Sequence, residues 1–192
     1  MSTIEGGMVC TDDDELAEML KMVRANGWDR NLTASQKHKY RNKYNIKSEF
    51  QAKYTFYDLA YNLRPTEITG FLGNTQLNYL DESNKKREEN FLRIHELTIK
   101  NLGLIEIDYS HMEFLSSFAI PIICRDEETK SFYLEQFAGA GIEIRPMIAG
   151  NIQLQPFYNK YVKKVMALPN TDHLHNCSFY CGNYLDLSET DI

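Results

Sequence analysis

The sequence predicts an α+β fold, α/β overall, and three features carry that expectation. A strand-like run at 118–124 is followed by a helical stretch at 127–138 and a second strand-like run at 142–148, a β-α-β passage typical of a small α+β domain. Residues 83–100 are dense in Lys, Arg and Glu yet carry Phe91, Leu92, Ile94 and Leu97, the pattern of a long helix with one buried side. With 192 residues, 43% of them hydrophobic and 12% aromatic, the chain has apolar material for one packed core, or one core plus part of another.

The elements follow in order. Gly6 and Gly7 precede a short stretch of strand character at 8–11. Asp12 and Glu15 have the N-cap and N3 spacing of a capping box, and Leu16, Met19, Leu20 and Val23 continue at helical intervals to Gly27, a natural C-cap. From 28 to 61 the periodicity is lost and the segment is polar, basic and rich in tyrosine, which predicts a long functional or mobile loop. Pro65 suits a first helical position, and Thr66, Glu67, Ile68, Phe71 and Leu72 continue a helix that either stops or runs on into the charged one, which ends near Gly103. Pro121 cannot donate to a ladder, so its strand is expected at a sheet edge or bulge. Gly139 and Gly141 close the next helix, and at the far end Ser188 with Asp191 resembles a helix start, so both ends of the chain look severed. The chain is expected to divide into residues 1–60 and 61–192.

A net charge of −6 argues against general affinity for nucleic acid or an anionic membrane. No run approaches the roughly 20 apolar residues of a membrane span, and the N-terminus lacks the regions of a signal peptide, which predicts a soluble, cytoplasmic protein. Cys10, Cys124, Cys177 and Cys181 are too few and too unevenly placed for a disulfide framework and read as reduced thiols.

Three clusters carry chemistry. His173, His175, Cys177 and Cys181 offer zinc-type ligands, but their spacing matches no standard site and residues two apart on a helix diverge, so ordinary packing is the expectation. Lys37, Lys39, Arg41, Lys43 and Lys47 alternate with Tyr40 and Tyr44; a solvated loop, capture of a diphosphate-bearing small molecule and contact with a phosphodiester backbone all stay open there. Asn62 and Arg64 put an amide and a guanidinium just before a helix N-terminus, a natural anion-binding arrangement, although Asn62 stabilising a turn and Arg64 solvating it would use the same residues. No G-x-S-x-G elbow, Walker loop or dinucleotide fingerprint is present.

Three blocks, in order, resemble the DegT/StrS family of nucleotide-sugar aminotransferases and dehydratases. The first is Glu5, Gly6, Gly7, Met8 and Val9 with Thr11, Asp13, Glu15 and Leu16, similar to the family's E-G-G-M-V-x-T-x-D-x-E-L segment. The second runs from Tyr61, Asn62 and Arg64 through Gln76, Leu77, Leu80 and Asp81 to Lys86, Arg87, Glu88, Glu89 and Asn90, similar to the Y-N-x-R, Q-L-x-x-L-D and R-R-E-x series. The third is Gly141 to Pro146, then Gln155, Pro156, Phe157, Leu168, Pro169, Asn170, Gly182 and Asn183.

The resemblance implies the C-terminal part of a fold-type I PLP-transferase: a small mixed or antiparallel sheet flanked by helices as the small domain, its last helix missing, plus a strand and helix at the end of the large domain. It implies pyridoxal 5'-phosphate as cofactor, a 4-keto-6-deoxy nucleotide sugar as substrate, transamination or 3-dehydration as reaction, and a homodimer as the complete enzyme, with neither nucleic acid nor membrane as partner. Asn62 is expected to reach the cofactor phosphate of the partner subunit with Arg64 beside it, and Arg145 and Asn151 to approach the sugar nucleotide. In the family a lysine a few residues before the Gly-Gly holds PLP as a Schiff base; this chain starts five residues before Gly6, so no catalytic residue is expected in it and the isolated chain is expected to be inactive. Ala149, Gly150 and Asn151 with Gln155 and Pro156, and the run Thr3 to Gly7, lean toward 3-dehydratases whose lysine is replaced by histidine. The alternatives are a non-catalytic dimerisation or interaction domain left after loss of the catalytic half, and a zinc module at His173 to Cys181.

Overall fold

The computed structural model describes residues 2–188 and 190 and forms two compact units, Met1–Asn78 and Tyr79–Ile192. Of the helix start expected at the far end, Asp191 lies outside the described residues.

The first unit is helical. Helix α1 (Asp14–Val23) is capped by Asp13, whose Oδ1 accepts from the amides of Glu15 at 2.9 Å and Leu16 at 3.0 Å. The cap therefore sits one residue later than the expected Asp12, because a carboxylate at Asp13 reaches the orphan amides two and three residues on. Residues 8–11 are not a strand; Met8 and Val9 are exposed. Past α1, Gly27 adopts φ +77°, and a Cβ there would lie 2.3 Å from the Asp58 carbonyl oxygen, so only glycine permits the close approach of the returning chain. That return is hydrogen-bonded throughout: Tyr57 N–H donates to Gly27 O, Asn26 N–H to Tyr61 O, Tyr61 N–H to Val23 O and Leu63 N–H to Arg24 O, all at 2.7–2.9 Å.

The segment expected to be a long functional or mobile loop contains helices α2 (Ala34–Lys43) and α3 (Glu49–Ala52). Thr33 and Gln36 form a capping box, each side chain accepting from the other's backbone N–H, yet α2 buries none of its residues. With no apolar stripe it has no periodicity to reveal it. It is held by charge instead. Arg41 donates from Nε to the buried Asp29 at 2.8 Å and from Nη1 to Glu49 at 2.7 Å, Tyr57 OH donates to the same Asp29 oxygen at 3.3 Å, and Lys39 pairs with the buried Glu18 at 3.2 Å. These carboxylates raise the Lys39 and Arg41 pKa values, and burial raises that of Tyr57. Helix α4 (Glu67–Leu77) starts at the Thr66 cap, so Pro65 precedes the helix instead of occupying its first turn.

In the second unit, α5 (Leu80–Thr98) is a separate helix from α4. Strands β1 (Ala119–Ile123), β2 (Ile144–Pro146) and β3 (Ser178–Gly182) form an antiparallel sheet in the order β1-β3-β2, with Ile120 opposite Cys181, Ile122 opposite Phe179 and Arg145 opposite Tyr180. Pro121 lies on an edge strand, where its missing N–H is tolerated. Helix α6 (Glu127–Gly139) joins β1 to β2, with Asp126 accepting from Thr129 N–H at 2.7 Å and Gly141 turning at φ +73°. The central strand was not legible in the sequence, since β3 begins directly where α8 (Pro169–Cys177) ends. A 3-10 turn (Ile152–Leu154) and the short α7 (Tyr158–Tyr161) occupy the span between β2 and α8.

The core lies between sheet and helices. Phe91 of α5, Leu104, Ile120, Ile122, Cys124 and Phe179 are buried together, with Phe137 edge-on to Phe179 at 5.3 Å. Asn183, also buried, donates from Nδ2 to Arg87 O and Ser117 O at 2.9 Å each and accepts from Asn90 at 3.1 Å, tying α5 to the end of the sheet. Among the described residues no helix is long and apolar enough to cross a membrane.

Candidate functional site

Asn62 sits in the segment that folds back on the end of α1, where its backbone bridges Ala25 antiparallel. The ladder fixes the backbone while the side chain stays exposed. Arg64 Nε donates to Asn62 Oδ1 at 3.0 Å, so the structure brings together the two residues singled out as a phosphate grip. That bond leaves the Asn62 amide N–H groups and the outer guanidinium N–H groups as donors, immediately before the N-terminus of α4. The Arg64 guanidinium carbon also lies 5.7 Å from the centre of the Trp28 ring, against which Arg30 stacks at 3.6 Å.

Within the basic run, Lys39 and Arg41 are paired with acidic side chains inside the first unit. Their charge is matched locally, so these two cations serve the fold of the unit.

In the second unit, Arg145 and Asn151 have different surroundings. Arg145 is on β2 with its side chain 64% exposed and donates from both Nε and Nη2 to Glu143 Oε1, at 3.0 and 2.7 Å, which holds its pKa above the ordinary value. It lines an open groove of about 290 Å³ with Arg87, Glu143, Tyr180 and Tyr184. Asn151 is only 3% exposed, and both ends of its amide are engaged: Oδ1 accepts from Gln153 N–H at 3.0 Å and Nδ2 donates to Asp172 Oδ1 at 2.5 Å. Its backbone N–H donates to His175 Nδ1 at 3.3 Å. Asn151 thus pins the turn at 149–151 from a buried position. Arg87 was missed as a groove residue; the sequence showed it only as part of the R-R-E-x-like block on α5, with no site role attached.

The histidines and cysteines do not converge. His173 Nε2 bonds the Cys124 carbonyl at 2.9 Å and His175 bonds Asn151, while Cys177 ends α8 and Cys181 lies on β3. Among the described residues no group of three His, Cys, Asp or Glu side chains could hold a metal ion. All four thiols are free; burial pushes Cys124 up to about 11 and also raises Cys177 and Cys181, which makes them poor nucleophiles.

Comparison with known proteins gives a consistent result. The model of the DegT/DnrJ/EryC1/StrS aminotransferase family matches residues 1–192. A GDP-4-keto-6-deoxy-D-mannose 3-dehydratase of Yersinia pseudotuberculosis is 31% identical over 196 residues, covering 98% of this chain and 48% of that protein. A UDP-4-amino-4,6-dideoxy-N-acetyl-beta-L-altrosamine transaminase of Campylobacter jejuni is 25% identical, covering 98% of this chain and 46% of that protein. The solved structure of the E. coli GDP-4-keto-6-deoxy-D-mannose-3-dehydratase with bound hydrated PLP superposes with a TM-score of 0.76 at 28% identity, covering 96% of this chain and 47% of that one. The chain spans about half the length of the curated relatives it matches.

Proposed function

Because the chain belongs to the DegT/DnrJ/EryC1/StrS aminotransferase family, we propose that it supplies the C-terminal portion of a PLP-dependent enzyme that acts on a 4-keto-6-deoxy nucleotide sugar in cell-surface polysaccharide or deoxysugar biosynthesis. 3-Dehydration is the favoured reaction, supported by the dehydratase relatives and by the Ala149, Gly150, Asn151 turn; transamination is the second, supported by the transaminase relative. The observation that carries the proposal is the exposed Asn62–Arg64 pair, fixed by its backbone ladder in front of α4.

The donor set of that pair fits a phosphate ester. Two amide N–H groups and the outer edge of a planar guanidinium match tetrahedral oxyanion geometry, and the start of α4 adds a favourable dipole. Asn62 and Arg64 would hold the cofactor phosphate of the partner subunit across a homodimer interface, and Glu143 would hold Arg145 oriented toward the sugar nucleotide. When bound, PLP supplies an electron sink for the substrate carbon. The residues of this chain bind and orient; residues outside it would carry the proton transfers.

The test is a PLP absorbance titration of the chain mixed with the portion of the Yersinia dehydratase that it does not match. Cofactor binding that appears only in the mixture and weakens by tenfold or more with Asn62→Ala is the expected result. Unchanged binding with Asn62→Ala would remove the phosphate role, and no binding in any mixture would favour the interaction-domain alternative. That second reading has its own support, since Ile68 and Phe71 of α4 are well exposed.

A further inference from the structure

We infer that Arg87 is the cation that reads an oxyanion in the groove beside β2, and that the oxyanion is the diphosphate of the nucleotide-sugar substrate, an assignment that rests on the function proposed above. The two guanidiniums of the groove are not equivalent. Arg145 gives Nε and Nη2 to Glu143 and its charge is already matched. The Nε of Arg87 is shut away from water and has no hydrogen-bond partner among the described residues. A buried donor without an acceptor is unfavourable until something supplies one, and native structures leave few of them.

The surroundings specify what the acceptor is. Arg87 and Arg145 are the cations of the groove lining and Glu143 its anion, so the groove is net positive on a chain whose charge is −6. Tyr180, Tyr184 and Phe118 line it with aromatic rings, Phe118 edge-on to Tyr180 at 6.3 Å. The backbone of Arg87 is held in place, because its carbonyl accepts from Asn183 at the end of β3 at 2.9 Å. A planar guanidinium offered from a fixed backbone suits phosphate oxygens, which it contacts through two parallel N–H bonds.

The test is an NMR titration of the full chain, following the arginine Nε–H resonances during addition of inorganic pyrophosphate, GDP or guanosine. Pyrophosphate and GDP are expected to shift the Arg87 resonance and guanosine to leave it unmoved. Arg87→Gln is expected to weaken pyrophosphate binding about tenfold or more, and Arg87→Lys to recover part of the loss by keeping the charge without the fork. The backbone amide spectrum of β1 and β3 reports that each variant is folded, and Arg87→Lys carries the test should the glutamine variant fail to fold. Pyrophosphate binding that is unchanged in Arg87→Gln, or a shift produced by guanosine alone, would overturn the assignment. No cofactor enters this titration, so its outcome is separate from that of the Asn62 test in the other unit.

Discussion

The two units are stabilised in different ways. The second is built around a sheet whose central strand buries Phe179 and Ser178 almost completely, with Ile120, Ile122, Cys124 and Phe91 packed about them. The first has a thinner apolar interior of Met22, Ala25, Trp28, Leu32 and Ala52, and relies on polar pins at Asp29 and Glu18. Both units leave large apolar side chains in water, Met8 at 87% and Leu59 at 94% in the first and Leu102 at 86% and Tyr161 at 81% in the second. A hydrophobic core stabilises in proportion to the area it buries, whereas polar pins fix geometry with a smaller net gain. The Asn62–Arg64 pair, proposed to hold a phosphate, therefore belongs to the unit with the thinner apolar interior.

The largest expected effect is in the sheet. Phe179→Ala should cost about 3–5 kcal/mol and unfold the second unit at ordinary temperature, whereas Leu59→Ala should stay within about 0.5 kcal/mol of the parent. Denaturant titrations of both variants measure the contrast, and equal losses would break it. Next comes the main polar pin. Asp29→Ala removes the buried one of Arg41's two carboxylate partners, leaving the exposed Glu49, and should cost about 1–3 kcal/mol, read as loss of the α2 signal with β1–β3 intact.

Gly150→Ala sharpens the comparison inside the second unit. Gly150 has φ +61°, and a Cβ would fall 2.2 Å from His175 Nδ1, so the variant must displace the imidazole that accepts from Asn151 N–H. A loss of about 1–3 kcal/mol is expected, with the chemical shifts of His175 and Asp172 moving together. The smallest effect concerns Asp126, whose pKa is lowered by the hydrogen bonds it accepts at the start of α6. A folded-state value below the unfolded one means that the cap stabilises above the ordinary aspartate range, about 4, and that this contribution is lost as pH falls through the lowered folded value. Denaturation midpoints between pH 6 and 2 should fall less steeply in Asp126→Ala than in the parent.

These contrasts track what the sequence disclosed. Helix α1 was legible because apolar residues recur at helical spacing beside an acidic cap, α5 because a charged run carries Phe91, Leu92, Ile94 and Leu97, α6 because Gly139 and Gly141 close it, and β1 because an apolar run holds a proline that an edge or bulge accepts. Helix α2 was not legible, since its capping box at Thr33 and Gln36 precedes a segment with no apolar face and its stability comes from ion pairs to residues distant in sequence. Strand β3 was hidden by its abutment on α8, which made His173 to Cys181 read as one segment. At the candidate site, Asn62 and Arg64 were legible as neighbours before a capped helix. The burial of Asn151 was not, because it depends on Asp172 and His175, more than twenty residues on. Arg87 stood out only once the fold set it beside Arg145.

The most direct test of the account is native-state hydrogen exchange on the chain alone and on its mixture with PLP and the unmatched portion of the Yersinia dehydratase. In the chain alone, the amides of Cys124 and Ile105, bonded at 2.8 Å beside the sheet, should be protected to the global limit, and those of Asn26, Tyr61 and Leu63 should exchange faster. In the mixture the latter three should slow by at least about tenfold while Cys124 and Ile105 stay unchanged. Equal protection of both sets in the chain alone, or no slowing of Tyr61 and Leu63 in the mixture, would contradict the proposal that the unit carrying Asn62 and Arg64 is completed by another surface.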